Sequence, residues 1–316
     1  MLRDQNSRRL VDPELLPMLG ALPSFGGLSN STLAGFRISL EAKVPAIPDT
    51  NDVAVDRILI RGLNQASDIV AILYRPAGSE RPGAALLNLH GGGYVMGSAD
   101  REDAAMRSLA TDADCTILSI NYRLAPETPY PGPLDDCWAA LQWLHEKAPE
   151  LGIAADRIGV RGVSAGGGLA AALSLRARDA QSYPVAFAML IYPMLDDRTE
   201  PQPNSGHFVW TADANRFAWK AYLGKHSVSP PPYAAPARAP DLAGLPPTFI
   251  ATGSIDLFAS ENLEWARRLI EVGVPVELHV YPGAYHGFPI VAESNVAQRF
   301  ERDCRSAIAR ALHRTV

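Results

Sequence analysis

Gly162-Val163-Ser164-Ala165-Gly166 sets a serine between glycines two positions away on either side. The motif follows a strand-like run, RIGVR, and opens a helical pattern, GGLAAALSLRARD. A sharp strand-to-helix turn exposes the serine hydroxyl above the carboxyl edge of a sheet, and it needs glycines where the backbones approach. The helix that follows aims its first N–H groups at the place where negative charge develops during attack. Ser164 is therefore a candidate nucleophile. The plainer alternative, a glycine-rich turn that merely starts a helix, does not account for this setting as well.

His90-Gly91-Gly92-Gly93 follows a second strand-like run, AALLNL. Consecutive glycines suit a loop whose backbone N–H groups must meet a ligand closely. Together with the N–H of Ala165, donors from this loop can surround an acyl oxyanion, each lowering the barrier by about 2.7 to 4 kcal/mol. His90 itself is expected to be a packed histidine that holds the loop, since the chemistry needs one base.

A base and an orienting acid must follow, because serine hydrolases built on such a turn run serine, then acid, then histidine. His286 comes just after the strand-like VELHVYP, and Asp256 just after PTFIATG. Both are expected on the sheet edge that bears Ser164. Rival acids are Asp196, Asp197 and Glu261, the last read as a helix-dipole or capping residue. His279 falls in a strand, His145 and His313 on helices, and His207 and His226 in an insertion, so each reads as a packed or exposed side chain. No His, Cys and carboxylate spacing suits a metal, and no phosphate-loop lysine or dinucleotide pattern is present, so neither metal nor cofactor is expected.

The elements that must position these residues alternate. RILIRG and SDIVAILYRP, with a polar turn over 63–67, predict an antiparallel hairpin. Beyond it the strands AALLNL, CTILSINY, RIGVRG, VAFAMLIYP, PTFIATG and VELHVYP alternate with helices, the pattern of an α/β fold with a mostly parallel sheet covered on both faces. Helices are predicted over ADREDAAMRSLATDA, PLDDCWAALQWLHEK, GGLAAALSLRARD, SENLEWARRLIEVG and NVAQRFERDCRSAIARAL. Two segments stand outside this alternation: residues 1–50, with weak helical patterning in VDPELLPML and STLAGFRISLEAK, and 197–230. The second carries Phe208, Trp210, Phe217, Trp219 and Tyr222, too aromatic for a free linker.

A net charge of -5 without a basic cluster gives no attraction to nucleic acid or anionic membranes. Three widely spaced cysteines suggest neither disulfides nor zinc and fit a reducing cytoplasm. The amino terminus lacks the apolar core of a secretory signal, and no run approaches the ~18 apolar residues of a membrane span.

With these motifs in hand, the chain resembles the bacterial hormone-sensitive-lipase family of carboxylesterases over about residues 50 to 290. The resemblance rests on His90 to Gly93, Tyr122-Arg123-Leu124-Ala125-Pro126-Glu127, Gly162 to Gly167, Asp256 and His286-Gly287-Phe288. Val163 stands where Asp or Thr is usual, Gly168 where Asn is frequent, Leu257 where Pro is usual and Ser260 where Asp is usual. The resemblance implies an α/β-hydrolase core (51–196 and 231–316) under a helical cap (1–50 and 197–230), with oxyanion donors from Gly92, Gly93 and Ala165. It implies hydrolysis of small or short-chain esters through an acyl-enzyme on Ser164, and pairing into a homodimer through the last strand and helix. The alternatives are a non-catalytic ligand receptor, against which His286 counts, and an amidase or peptidase with the same triad. Ser164 excludes an epoxide hydrolase or dehalogenase, which needs an aspartate there.

Overall fold

Alternate side chains of the central strands enter two separate cores. Ala85, Leu87 and Leu89 belong to one, Ala84 and Leu86 to the other, and Leu118 and Ile120 alternate with Cys115 and Ile117 in the same way. A strand with apolar residues on both parities must be covered on both faces. The computed structural model describes residues 7–22, 25–42, 52–78 and 82–312.

Eight strands form one sheet: β1 (Val53–Ile60), β2 (Ile69–Pro76), β3 (Gly83–Leu89), β4 (Cys115–Ile120), β5 (Ile153–Val163), β6 (Ala188–Ile191), β7 (Thr248–Gly253) and β8 (Val276–Tyr281). Their order is β1-β2-β4-β3-β5-β6-β7-β8. The β1/β2 hairpin is antiparallel, as predicted, and β2 runs antiparallel to β4; all remaining pairs are parallel. Seven α-helices lie among the described residues: α1 (Leu33–Glu41), α2 (Asp103–Asp112), α3 (Gly132–Leu151), α4 (Ala165–Ala180), α5 (Ala212–Leu223), α6 (Ala259–Glu271) and α7 (Asn295–Leu312). Side chains of α3, α4 and α6 fill one core, and those of α2 and α7 the other. The architecture is the expected α/β-hydrolase fold.

Local differences from expectation have tertiary causes. VAFAMLIYP yields a strand of only four residues, because the chain beyond Ile191 turns off to meet the serine turn and α6. VDPELLPML gives turns and a short 3-10 helix at Pro17–Gly20, with Val11 and Leu15 buried against the α7 side of the sheet. His313 and Lys43 lie outside the described residues.

Parallel register brings the carboxyl ends of the central strands level: Leu89 pairs with Gly162, Val163 with Ile191, Ile191 with Ala251 and Gly253 with Tyr281. Every motif singled out above leaves the sheet at this edge. Over it lie the aromatic residues of the insertion, of which Trp210, Trp219 and Tyr222 are buried. Tyr94 stacks on Tyr222 at 4.0 Å, while Phe25 meets both Phe36 and Trp210 at 5.7 Å. Arg37 of α1 clamps the loop after β3, donating from Nε to the Val95 carbonyl (2.7 Å) and from Nη2 to that of Ala125 (2.9 Å), with a two-pronged bond to Glu127.

Leu87 is fully buried at the centre of the sheet, whereas Val228 is 94% exposed. Leu87→Ala is expected to cost about 2 to 5 kcal/mol and Val228→Ala less than about 0.5 kcal/mol, read as a shift in denaturant midpoint at constant slope.

Candidate active site

Ser164 terminates β5 and precedes α4 with φ 55° and ψ -117°, a backbone conformation that costs an L-residue about 1 to 3 kcal/mol. Its N–H donates to the Ile191 carbonyl (2.9 Å), and its carbonyl accepts from the N–H groups of Gly168 and Met194, each at 3.0 Å. The flanking glycines are required by contact. A Cβ on Gly162 would lie 2.1 Å from the Gly166 carbonyl oxygen, and one on Gly166 would lie 2.0 Å from that of Leu89. The turn is thus wedged against the end of β3, beside the glycine loop.

In that loop, Gly92 and Gly93 adopt φ of 121° and 62°. A side chain on Gly92 would strike the Met96 carbonyl, and one on Gly93 the Trp210 ring. The N–H groups of Val95 and Met96 both donate to the Gly92 carbonyl, at 3.1 and 3.0 Å, which fixes the loop as a tight turn. Ala165 is the first residue of α4, so its N–H is among those a helix start leaves without an intrahelical acceptor. Gly91, Gly92, Gly93 and Ser164 line one cavity of about 400 Å³.

His286 and Asp256 reach the serine from the loops after β8 and β7. The imidazole Nδ1 lies 2.8 Å from Asp256 Oδ2, and Nε2 lies 3.0 Å from Ser164 Oγ. A carboxylate accepts only, so Nδ1 carries the proton and Nε2 offers its lone pair to the serine hydroxyl. The other carboxylate oxygen accepts from the Phe258 N–H at 2.9 Å. All three side chains are buried, and the imidazole meets the rings of Tyr192 and Phe258 edge-on at 4.6 and 5.2 Å. This arrangement can accept a proton from a hydroxyl, stabilise the imidazolium that results, and present peptide N–H groups to nascent negative charge.

The rival acids are engaged elsewhere. Asp196 pairs with Arg198 and Asp197 with Arg238, both through two hydrogen bonds. Glu261 does lie in the first turn of α6, yet its carboxylate leaves the helix to accept from the Leu195 N–H (2.6 Å) and the Thr199 hydroxyl. Burial pushes its carboxyl well above the usual range. The neighbouring Asn262 donates to the Pro193 carbonyl (2.7 Å), so this first turn ties down the chain leaving β6.

His90 is packed. Its ring stacks on Tyr122 at 4.1 Å, its Nδ1 donates to the Gly91 carbonyl at 2.8 Å, and the Tyr122 hydroxyl donates to the His90 carbonyl at 2.7 Å.

A polar group near the cavity went unnoticed in the sequence: Glu102, bonded by Asn88 and close to Arg161. The available signal was parity, since Asn88 is the one polar side chain of β3 and Arg161 the one polar side chain in the otherwise apolar run 158–163 of β5.

Burial lowers the His90 pKa from its ordinary value, so the folded state favours the neutral ring while the unfolded chain takes up a proton near pH 6.5. The stability contributed by the neutral ring is present above that pH and is lost as pH falls below it. His90→Asn, which keeps a donor for the Gly91 carbonyl, is expected to reduce the decline in unfolding free energy between about pH 6.5 and 5 by up to 1.4 kcal/mol per pH unit. Unfolding titrations at each pH measure it.

A family description, "alpha/beta hydrolase fold", matches residues 86–290. The chain is 36% identical over 293 residues to the carboxylesterase NlhH of Mycobacterium tuberculosis, with 88% of each chain covered. It is 34% identical over 294 residues to the esterase LipI of the same organism, again with 88% of each covered. Among solved structures it is similar to a bacterial heroin esterase, with TM-score 0.91, 37% identity, and coverage of 97% of this chain and 99% of that one. Fold, motifs and relatives agree, and the chain belongs to the α/β-hydrolase family of hormone-sensitive-lipase type.

Proposed function

We propose that this chain, a carboxylic ester hydrolase, works through an acyl-enzyme on Ser164, with His286 as general base and Asp256 as the residue that orients the imidazole. The observation that carries this reading is the continuous hydrogen-bonded relay from Asp256 through His286 to Ser164, opening into a cavity lined by the glycine loop. His286 takes the serine proton as Oγ bonds to the ester carbonyl carbon. The N–H groups of Gly92, Gly93 and Ala165 receive the oxyanion. Collapse of the tetrahedral intermediate expels the alcohol, which takes the proton from His286. Water, deprotonated in turn by His286, then releases the acid. The scheme requires neither metal nor cofactor. His286 within reach of the hydroxyl weighs against a ligand receptor without turnover.

The same reading makes residues 1–50 and 197–230 a cap over the catalytic core, supported by Phe25 and Leu40 from the first segment and Val209 and Trp210 from the second, which line the cavity above Ser164. A roofed cavity of about 400 Å³ favours small or short-chain esters over long acyl chains. The names of the relatives, esterases and carboxylesterases, support ester over amide. Free, buried cysteines at 115, 137 and 304 support a reducing, cytoplasmic setting. No described helix is long and apolar enough to cross a membrane. β8, an edge strand of the sheet, is where the reading places a homodimer contact.

Purified protein is expected to hydrolyse 4-nitrophenyl acetate and butyrate with higher kcat/KM than the laurate. Ser164→Ala is expected to lose about 10⁶-fold in kcat and Asp256→Asn about 10⁴-fold, while Asp197→Asn stays within about threefold of wild type. Undiminished turnover by folded Ser164→Ala contradicts the mechanism.

A further inference from the structure

Ser119, Asn88 and Arg161 stand side by side on β4, β3 and β5, paired in register across the sheet. They form a polar row on a face where Ala84, Leu86 and Ile117 make an apolar core. The Asn88 amide donates to Ser119 Oγ (2.9 Å) and to Glu102 Oε2 (2.8 Å), while its oxygen accepts from Arg161 Nη1. Arg161 Nη1 is also 3.7 Å from Glu102 Oε2, and the two side chains are only 12% and 20% exposed. Taking an ion pair this far from water is costly unless its geometry is tightly arranged. The proposed relay uses none of these groups.

What the row accomplishes is to fix one carboxylate. Both interactions fall on Oε2; among the described residues no donor reaches Oε1. Glu102 lines the same cavity as Ser164, together with Arg101 and Tyr192. Arg161, which holds Glu102, precedes Ser164 by three residues on β5, a backbone separation of roughly 10 Å.

We infer that Glu102 is a specificity-determining residue, whose Oε1 accepts a hydrogen bond from a neutral hydroxyl on the ester, several bonds from the carbonyl. The inference deepens the ester-hydrolase reading and rests on it. Charge selects the kind of donor. Arg161 already offsets the carboxylate, and Arg101 adds a second guanidinium at the cavity wall, where it donates to the Leu40 carbonyl. An ammonium would meet the Arg101 guanidinium at the cavity wall, and a carboxylate would face Oε1. A hydroxyl satisfies the open acceptor without adding charge.

Substituting glutamine makes the idea sharp. In Glu102→Gln the donors of Asn88 and Arg161 hold the amide oxygen inward, which turns the NH₂ toward the cavity and exchanges an acceptor for a donor.

The test uses two panels: 4-nitrophenyl ω-substituted alkanoates, and acetate esters of ω-substituted alcohols. Each spans about four to eight carbons, to match the strand distance, with hydroxyl, methoxy, methyl, ammonium and carboxylate end groups. Wild type is expected to favour hydroxyl over methoxy and methyl by about tenfold or more in kcat/KM at the matching length in one panel. In Glu102→Gln the hydroxyl-to-methoxy ratio is expected to fall about tenfold, because the NH₂ donates to either oxygen. End groups within threefold of one another in wild type at every length overturn the inference, as does a preference for ammonium or carboxylate. A folded variant with an unchanged ratio does the same. The wild-type comparison decides alone if the variant does not fold. No hydrolysis of any ester overturns the ester-hydrolase reading, and this inference with it, whereas hydrolysis without end-group preference overturns this inference only.

Discussion

Ser164 is held in a backbone conformation that a serine does not adopt unaided, at φ 55°, and the surrounding sheet supplies the free energy that keeps it there. The support is specific: the Ile191 carbonyl takes its N–H, and α4 begins within contact of the end of β3. That contact is possible only because Gly162 and Gly166 have no side chains. One strained residue therefore brings together two motifs about seventy positions apart, the serine turn and the loop of Gly91 to Gly93. A methyl group at Gly166 would separate them before it affected anything else.

The histidine and its acid are set by equally local devices. Asp256 opens the turn before α6, and the first turn of that helix is fastened to the β6 exit by Glu261 and Asn262. Fixing that exit also fixes Ile191 and Tyr192, which contact the serine and the imidazole respectively. Around the relay, the rings of Trp210, Tyr192 and Phe258 pack against the buried imidazole, and hydrogen bonds in such a low-dielectric setting are stronger than in water. Trp210 of the insertion thus has two effects: it lines the cavity and packs on the relay beneath it.

Much of this was legible in the sequence because it depends on short-range pattern. Strand and helix alternation gave the architecture, and the order Ser164, Asp256, His286 together with their positions after strands gave the meeting point. Glu261 was legible only as a helix-start acid, since its partners Leu195 and Thr199 come from another loop. The Asn88, Arg161 and Glu102 group was hidden for a related reason: it depends on which strands become neighbours, and β3 lies between β4 and β5 through a crossover that no local pattern specifies. Residues 185–193 read as one long strand by apolarity, yet only Ala188–Ile191 pair in register with both β5 and β7, and the single bonds of Ala186 and Phe187 to β5 and of Tyr192 to β7 do not extend the strand.

The most direct measurement is reaction of the folded protein with an active-site-directed organophosphonate, followed by tryptic peptide mapping. The account expects one label per chain, on the peptide from Gly162 to Arg176, with fragmentation assigning it to Ser164 and not to Ser174. A label on any other residue, or none on folded protein, contradicts it.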